Sequence, residues 1–329
     1  MPGMPPIHRP HATAAHVRRC FGTDPVTVAA VLDAGVTPGQ LRAAVAAATL
    51  RRVRRGVLVA AEAADLDTTG GRPGAAVRPA GPQHPDARLQ HREACAAALL
   101  LSTGAVVSHD SAALLLGLPT PRPGRGPDLV HVTADRHGHA RHGLRVHEGT
   151  VPLEDLALVD RVRCTSAAHT ALDVGRCRAL PESLVVLDAA ARTAGTEALA
   201  AAYTRLGGHK CLGSLAWAVN LADPRSESPL ESASRGVMIG AGLPVPDLQV
   251  WVRDRSGQDH RVDFLWPDRG VVGEADGWGK YAAMEDVRVE KRREDALRDA
   301  GFLVVRWTSD ELWRKPRLVV ERLRRVLGT

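Results

Sequence analysis

Residues 262–276 read VDFLWPDRGVVGEAD, two apolar runs carrying acidic residues and joined by the turn-forming PDRG. The pattern is that of two β-strands and a tight connection. In the first run Val262, Phe264 and Trp266 share one face of a strand, which puts Asp263 on the other with Leu265. In the second, Val272, Glu274 and Asp276 share a face. The last two carboxylates then stand roughly 7 Å apart, twice the rise per residue of a strand. Glu274 follows the apolar VVG and is expected well inside a sheet, where an unpaired carboxylate is costly to bury.

Working outward, LQVWVRD (248–254) and the turn RSGQD complete an antiparallel meander of three strands. Before it, SPLESASRGVMIGAGLP (228–244) reads as a helix with Ser228 as cap, Pro229 at its first position and Glu231 in its first turn. After it come a helix at about 283–300, the apolar strand FLVVRW and a terminal helix through 312–327. Helix, meander, helix, strand and helix make an α/β sandwich. With the two acidic strands side by side, Asp263, Glu274 and Asp276 converge on one patch with Glu231 overhead. Hard divalent cations such as Mg²⁺ take a few carboxylate oxygens plus water, and can activate a water against a phosphodiester. Lys280 or Lys291 is placed to stabilise transition-state charge. The competing reading pairs these carboxylates with Arg261, Arg288, Arg292 or Arg293 as surface ion pairs.

The chain has 329 residues, 44% hydrophobic and 24% charged, which describes an ordinary globular protein of about two or three domains. No apolar run approaches the roughly 18 residues of a membrane span, and the N-terminus lacks a signal-type apolar core, so a cytoplasmic protein without a membrane partner is expected. Five scattered cysteines with no C-x-x-C pair suggest buried reduced thiols. The formal charge is +6, and all but four of the 43 basic residues are arginine. All six tryptophans follow residue 216, which sets the last third apart.

Residues 61–88 are rich in Gly and Pro and are expected to be a linker. The preceding 22–60 reads as two short helices in helix-turn-helix spacing, then a Gly turn and a strand, the outline of a winged-helix DNA-binding domain. Arg42, Arg51, Arg52, Arg54 and Arg55 lie in its acid-free second half and are the expected phosphate contacts. Residues 89–221 read as a mostly helical middle domain with a small β insertion, and 225–329 as the α/β domain above. The histidines at 131, 137, 139, 142 and 147 match no standard metal spacing and are read as a polar hairpin. His109, Asp110 and Ser111 lie together without a G-x-S-x-G elbow and are read as a helix start.

SPLES, VDFLWP, VVGEADG, EKRREDALRDAG and FLVVRW, spread over 226–328, resemble the very-short-patch-repair-like endonuclease domain of the PD-(D/E)xK superfamily. The resemblance implies a restriction-endonuclease-like fold, with Glu231, Asp263 and Glu274 as the acidic ligands of a catalytic Mg²⁺. Asp276 stands where the superfamily usually has lysine, a departure that Lys280 would have to make good. TPGQLRAAVAAATLRRVRRGVLV, VVSHDSAALLLGLP and VRCTSAAHTALDVGR resemble the AbiEi-type antitoxins of type IV toxin–antitoxin systems, which implies a winged helix, promoter DNA and a cognate toxin as partner. Two functions follow: a Mg²⁺-dependent DNA endonuclease, or a non-catalytic DNA-binding regulator built on a degenerate nuclease fold.

Overall fold

The computed structural model describes residues 9–61, 85–120, 128–176, 178–206, 212–277 and 284–329. Most of the expected linker and Lys280 lie outside the described residues. The chain divides into two units, one running to Thr165 apart from 117–123, the other holding that stretch and 166–329.

The first unit opens with α1 (Arg9–Phe21), β1 (Val26–Thr27), α2 (Val28–Asp33), α3 (Pro38–Ala46), β2 (Leu50–Arg54) and β3 (Val57–Ala60), the strands pairing in the order β1-β3-β2. Thr27 caps α2, and Thr37 caps α3 in a reciprocal capping box with Gln40, with Pro38 in the first turn. Val31, Leu41, Ala44, Leu50 and Leu58 close a core around these elements. The element order is that of a winged helix, and α1, ahead of the expected start at residue 22, contributes Ala14 and Val17 to that core. Arg51, Arg52 and Arg54 lie on β2 rather than extending a helix. Ala48, at φ 55, ends the helical run, and Leu50 to Arg54 pair with β3, with a register shift at Val53.

The same unit continues through α4 (Pro85–Leu100), β4 (Val106–Val107), α5 (His109–Leu116), β5 (Val130–Ala134), β6 (His139–Arg141), β7 (Leu144–Glu148), β8 (Leu156–Val159) and β9 (Val162–Thr165). What reads in sequence as a strand-rich insertion is a six-stranded mixed sheet, order β6-β7-β5-β4-β9-β8. Its strands of two to five residues carry little periodicity of their own. His131 and His147 sit on β5 and β7, while His142 takes φ 52 in the β6–β7 hairpin turn. His109 stacks on His147 with ring centroids 3.5 Å apart.

The second unit begins with four helices, α6 (Ala167–Gly175), α7 (Leu180–Ala194), α8 (Thr196–Arg205) and α9 (Leu212–Asn220), which therefore fold with the C-terminal domain. Then come α10 (Pro229–Gly240), β10 (Asp247–Arg253), β11 (Asp259–Trp266), β12 (Val271–Asp276), α11 (Met284–Asp299), β13 (Leu303–Thr308), α12 (Ser309–Arg314) and α13 (Pro316–Leu327). The sheet order is β10-β11-β12-β13, antiparallel except for the parallel β12–β13 pair that α11 connects. One sheet face packs Phe264, Trp266, Ala275 and Trp307 with Leu230 and Met238 of α10 and Leu323 of α13. The other packs Val262, Leu265 and Val272 with Leu297 of α11. This α/β sandwich is the layout expected from the sequence, except that Pro316 divides the terminal helix in two. Among the described residues no helix is long and apolar enough to cross a membrane.

The helices α7 and α10 are joined by a buried ion pair, Asp188 with Arg235 at 2.9 Å, and meet closely at Gly236. A Cβ at Gly236 would lie 2.5 Å from Pro181 Cα and 2.7 Å from its nitrogen, backbone atoms that cannot step aside. Gly236→Ala is expected to destabilise the second unit by at least about 2 kcal/mol, as overpacking against a fixed backbone does. The urea midpoint of the variant checks this, against Gly240→Ala, where a Cβ meets nothing within 4 Å.

Candidate active site

Asp263 lies where both of its neighbouring ladders fail. Between β10 and β11 the register pairs Leu248 with Phe264 and Val250 with Val262, but skips the Gln249–Asp263 pair between them. Between β11 and β12 pairing runs from Trp266–Val271 to Phe264–Gly273 and stops one residue short of Asp263. The Asp263 side chain takes over part of the missing bonding: Oδ2 accepts from the Ala275 N–H at 2.9 Å and Oδ1 from the Gln249 amide at 3.3 Å. The break also corrects the expected face pattern. Phe264 and Trp266 share a face, but Val262 joins Leu265 on the opposite one, since the alternation is interrupted at Asp263.

Glu231 arrives from the first turn of α10. Ser228 caps that helix by accepting from the Glu231 N–H at 3.1 Å, while Glu231 Oε2 reaches back to accept from the Glu227 N–H at 2.8 Å. The same oxygen accepts from Gln249 Nε2 at 2.9 Å. Glu231 is 7% exposed, and burial raises its pKa, with the charge of Asp263 adding to the effect and its hydrogen bonds opposing it.

Glu274 sits on β12, 5% exposed, with Val272 and Asp276 on its face as the period-two pattern requires. Its Oε1 accepts from Arg293 Nη2 at 2.8 Å, and the same guanidinium nitrogen donates to the Arg261 carbonyl. Burial, then the neighbouring Asp263 charge, push the Glu274 carboxyl up to about 7, against the opposing pull of Arg293 and Arg306. The three carboxylates thus crowd negative charge where solvent does not relieve it.

Asp276 points along the same face but pairs with Arg306 at 3.3 Å, and Arg306 also reaches Glu294 at 3.1 Å. The structure therefore gathers Glu231, Asp263 and Glu274 and sets Asp276 beside them in its own ion pair. Lys291 is exposed on α11, and Arg293, two residues on, is the cation that reaches the carboxylates. One participant, Gln249, went unrecognised in sequence; it is opposite Asp263 once the hairpin register is counted back from the RSGQD turn. Arg293 is one of the arginines that the competing reading pairs with these carboxylates, and that pairing is found at Glu274; it lies four residues before the buried Leu297, on the sheet-facing side of α11.

Among the described residues no group of three or more His, Cys, Asp or Glu side chains is disposed around a common ion position. The donor set nonetheless suits a hard cation, because Mg²⁺ is commonly held by one or two carboxylates with water completing its shell. Asp263 and Glu274 would hold it, with Glu231 alongside.

The expected arginines of the first unit separate into two kinds. Arg42, Arg52 and Arg55 are exposed on α3, β2 and the β2–β3 turn. Arg51 is drawn into an ion pair with Glu93, and Arg54 is partly buried and donates to the His142 carbonyl at 2.8 Å. Burial lowers the Arg54 pKa. Arg51, whose side chain stays 47% exposed, and Arg54 thus each have a partner within the fold.

A carboxyl whose pKa is raised in the fold stabilises the protein below its unfolded pKa, and that stability is lost as pH rises through the folded value. For Glu274 the window runs from its ordinary 4.5 to about 7. Glu274→Gln, which keeps the neutral shape, is expected to raise the thermal midpoint at pH 8 by about 4 °C, the effect of ~1–2 kcal/mol, and to change it little at pH 5. Thermal denaturation in metal-free buffer at both pH values checks the sign.

No family model matches the chain. Two proteins of Mycobacterium tuberculosis, Rv2248 of strain ATCC 25618 / H37Rv and MT2308 of strain CDC 1551 / Oshkosh, are each 32% identical to it over 187 residues, covering 56% of this chain and 68% of theirs. Both carry the designation uncharacterized protein. On that identity and coverage, the chain belongs to one family with these two mycobacterial proteins.

Proposed function

We propose that the chain is a DNA-binding protein whose C-terminal α/β domain is a Mg²⁺-dependent endonuclease of the PD-(D/E)xK type. The observation that carries the reading is the meeting of Glu231, Asp263 and Glu274, from a helix and two adjacent strands, at the place where both ladders open. A bound Mg²⁺ would supply an activated water and stabilise the leaving oxygen of a phosphodiester. The chain's own residues do the rest. Asp263 and Glu274 bind the cation, Glu231 holds its carboxylate beside them, and Arg293 fixes the Glu274 carboxylate through Oε1. Exposed Arg42, Arg52 and Arg55 supply contacts to DNA phosphates in the first unit. DNA is the partner under this reading, and the cytoplasm the compartment.

A second reading is supported by Asp276, which occupies the usual lysine position and is committed to Arg306. Under it the domain is a retired nuclease fold in an AbiEi-like regulator, with promoter DNA and a toxin as partners.

Nicking of supercoiled plasmid with Mg²⁺, Mn²⁺ or EDTA distinguishes the two. The nuclease reading expects metal-dependent nicking that Asp263→Ala abolishes; because the change also leaves the Ala275 N–H and the Gln249 amide without their acceptor, the circular dichroism spectrum and melting curve of the variant are read alongside to show that it stays folded. A mobility shift retained in EDTA with no nicking selects the regulator. In a parallel arm, replacing Arg42, Arg52 and Arg55 together by Ala is expected to flatten the log–log salt slope of DNA binding by about 2 to 3, near 0.9 for each phosphate that is no longer neutralised. An unchanged slope removes the winged helix from the DNA interface.

A further inference from the structure

Gln249 is a non-glycine residue in the middle of a β-strand with φ 54, in the left-handed region that side chains adopt at a cost. The backbone partners on either side of it are in register, so the departure is confined to this residue and to Asp263 opposite. The strand gives up regular pairing here, and its Gln249 amide bridges two acids, Glu231 Oε2 at 2.9 Å and Asp263 Oδ1 at 3.3 Å. Carboxylates only accept hydrogen bonds, so the group facing both is the NH₂, with one N–H for each. Local strain of this kind persists only where its surroundings enforce it, and it concentrates at functional sites. Here the surroundings are the helix cap that fixes Glu231 and the Ala275 N–H that fixes Asp263.

We propose that Gln249 is a positioning residue, an amide clamp that cross-links the Glu231 and Asp263 carboxylates and holds these two like charges side by side for a divalent cation. The inference rests on the reading of this site as a cation site. Neutral and donating on both sides, the amide holds the acids together without neutralising either. A lysine or arginine at this position would hold them too, but would also supply the charge the cation brings. Groups that orient metal ligands in this way affect affinity about 10- to 100-fold when removed.

The test is Mn²⁺ titration of the full chain, followed by the decline of the free-ion electron paramagnetic resonance signal, for wild type, Gln249→Leu and Gln249→Gly. Both substitutions remove the amide, but only glycine relieves the left-handed backbone. Both are expected to weaken Mn²⁺ binding by about 10- to 100-fold, with the glycine variant melting no lower than the leucine one. Affinity that follows the amide, and not the melting temperature, identifies positioning. Wild-type affinity in folded Gln249→Gly overturns the proposal, as does a wild-type protein whose Mn²⁺ uptake is unaffected by Asp263→Ala. Plasmid nicking read alongside keeps the two ideas apart: Gln249-dependent Mn²⁺ binding in a protein that does not nick retains the clamp and discards the nuclease.

Discussion

The arrangement of the second unit turns on the need to stabilise acidic groups within a sheet. Asp263 and Glu274 occupy adjacent strands between two apolar layers, and a carboxylate in such a place must be hydrogen-bonded or paired. The backbone meets that need by giving way. On one side the Ala275 N–H turns to Asp263, and on the other Gln249 leaves the ladder and offers its amide. Arg293 from α11 comes down on Glu274.

The compensation is incomplete, and the contrast within the same unit is instructive. Asp188, fully buried, meets Arg235 one to one and also accepts from the Asp223 N–H, so one acid has one cation. Around Asp263, three acids are gathered and Arg293 is the guanidinium bonded to one of them; burial first, as for Asp188, and then the Asp263 charge raise the Glu274 carboxyl, here to about 7. A purely structural cluster gains nothing from such an excess. A cation site requires it. The apolar layers hold the strand in place: a Cβ at Gly273 would lie 2.9 Å from the Trp307 ring and 3.1 Å from that of Trp266, so β12 is pressed against the rings on the sheet face opposite Glu274.

Much of this was legible in the sequence. The cap Ser228, the period-two order of Val272, Glu274 and Asp276, and the alternation of helix, strands and helix in 228–327 act locally and appear as local patterns. The break in alternation at Asp263 was not legible, because it arises from competition between a backbone ladder and a side chain on a neighbouring strand. Arg306 likewise reaches Asp276 through parallel pairing of β12 and β13, a contact across 30 residues that no local period encodes. The arginines of β2 read as one basic cluster, but Arg51 and Arg54 find partners in Glu93 and His142, far along the chain. The six-stranded sheet of the first unit escaped notice for a related reason: strands of two to five residues take their stability from their neighbours.

The central proposal is that Glu231, Asp263 and Glu274 form one site whose deficit of positive charge a divalent cation would fill. Anomalous diffraction from crystals soaked in Mn²⁺ tests it most directly. The account predicts a peak within coordinating distance of Asp263 and Glu274 that disappears in Asp263→Ala. Ordered crystals with the three carboxylates as described and Mn²⁺ bound only elsewhere, or not at all, would contradict it.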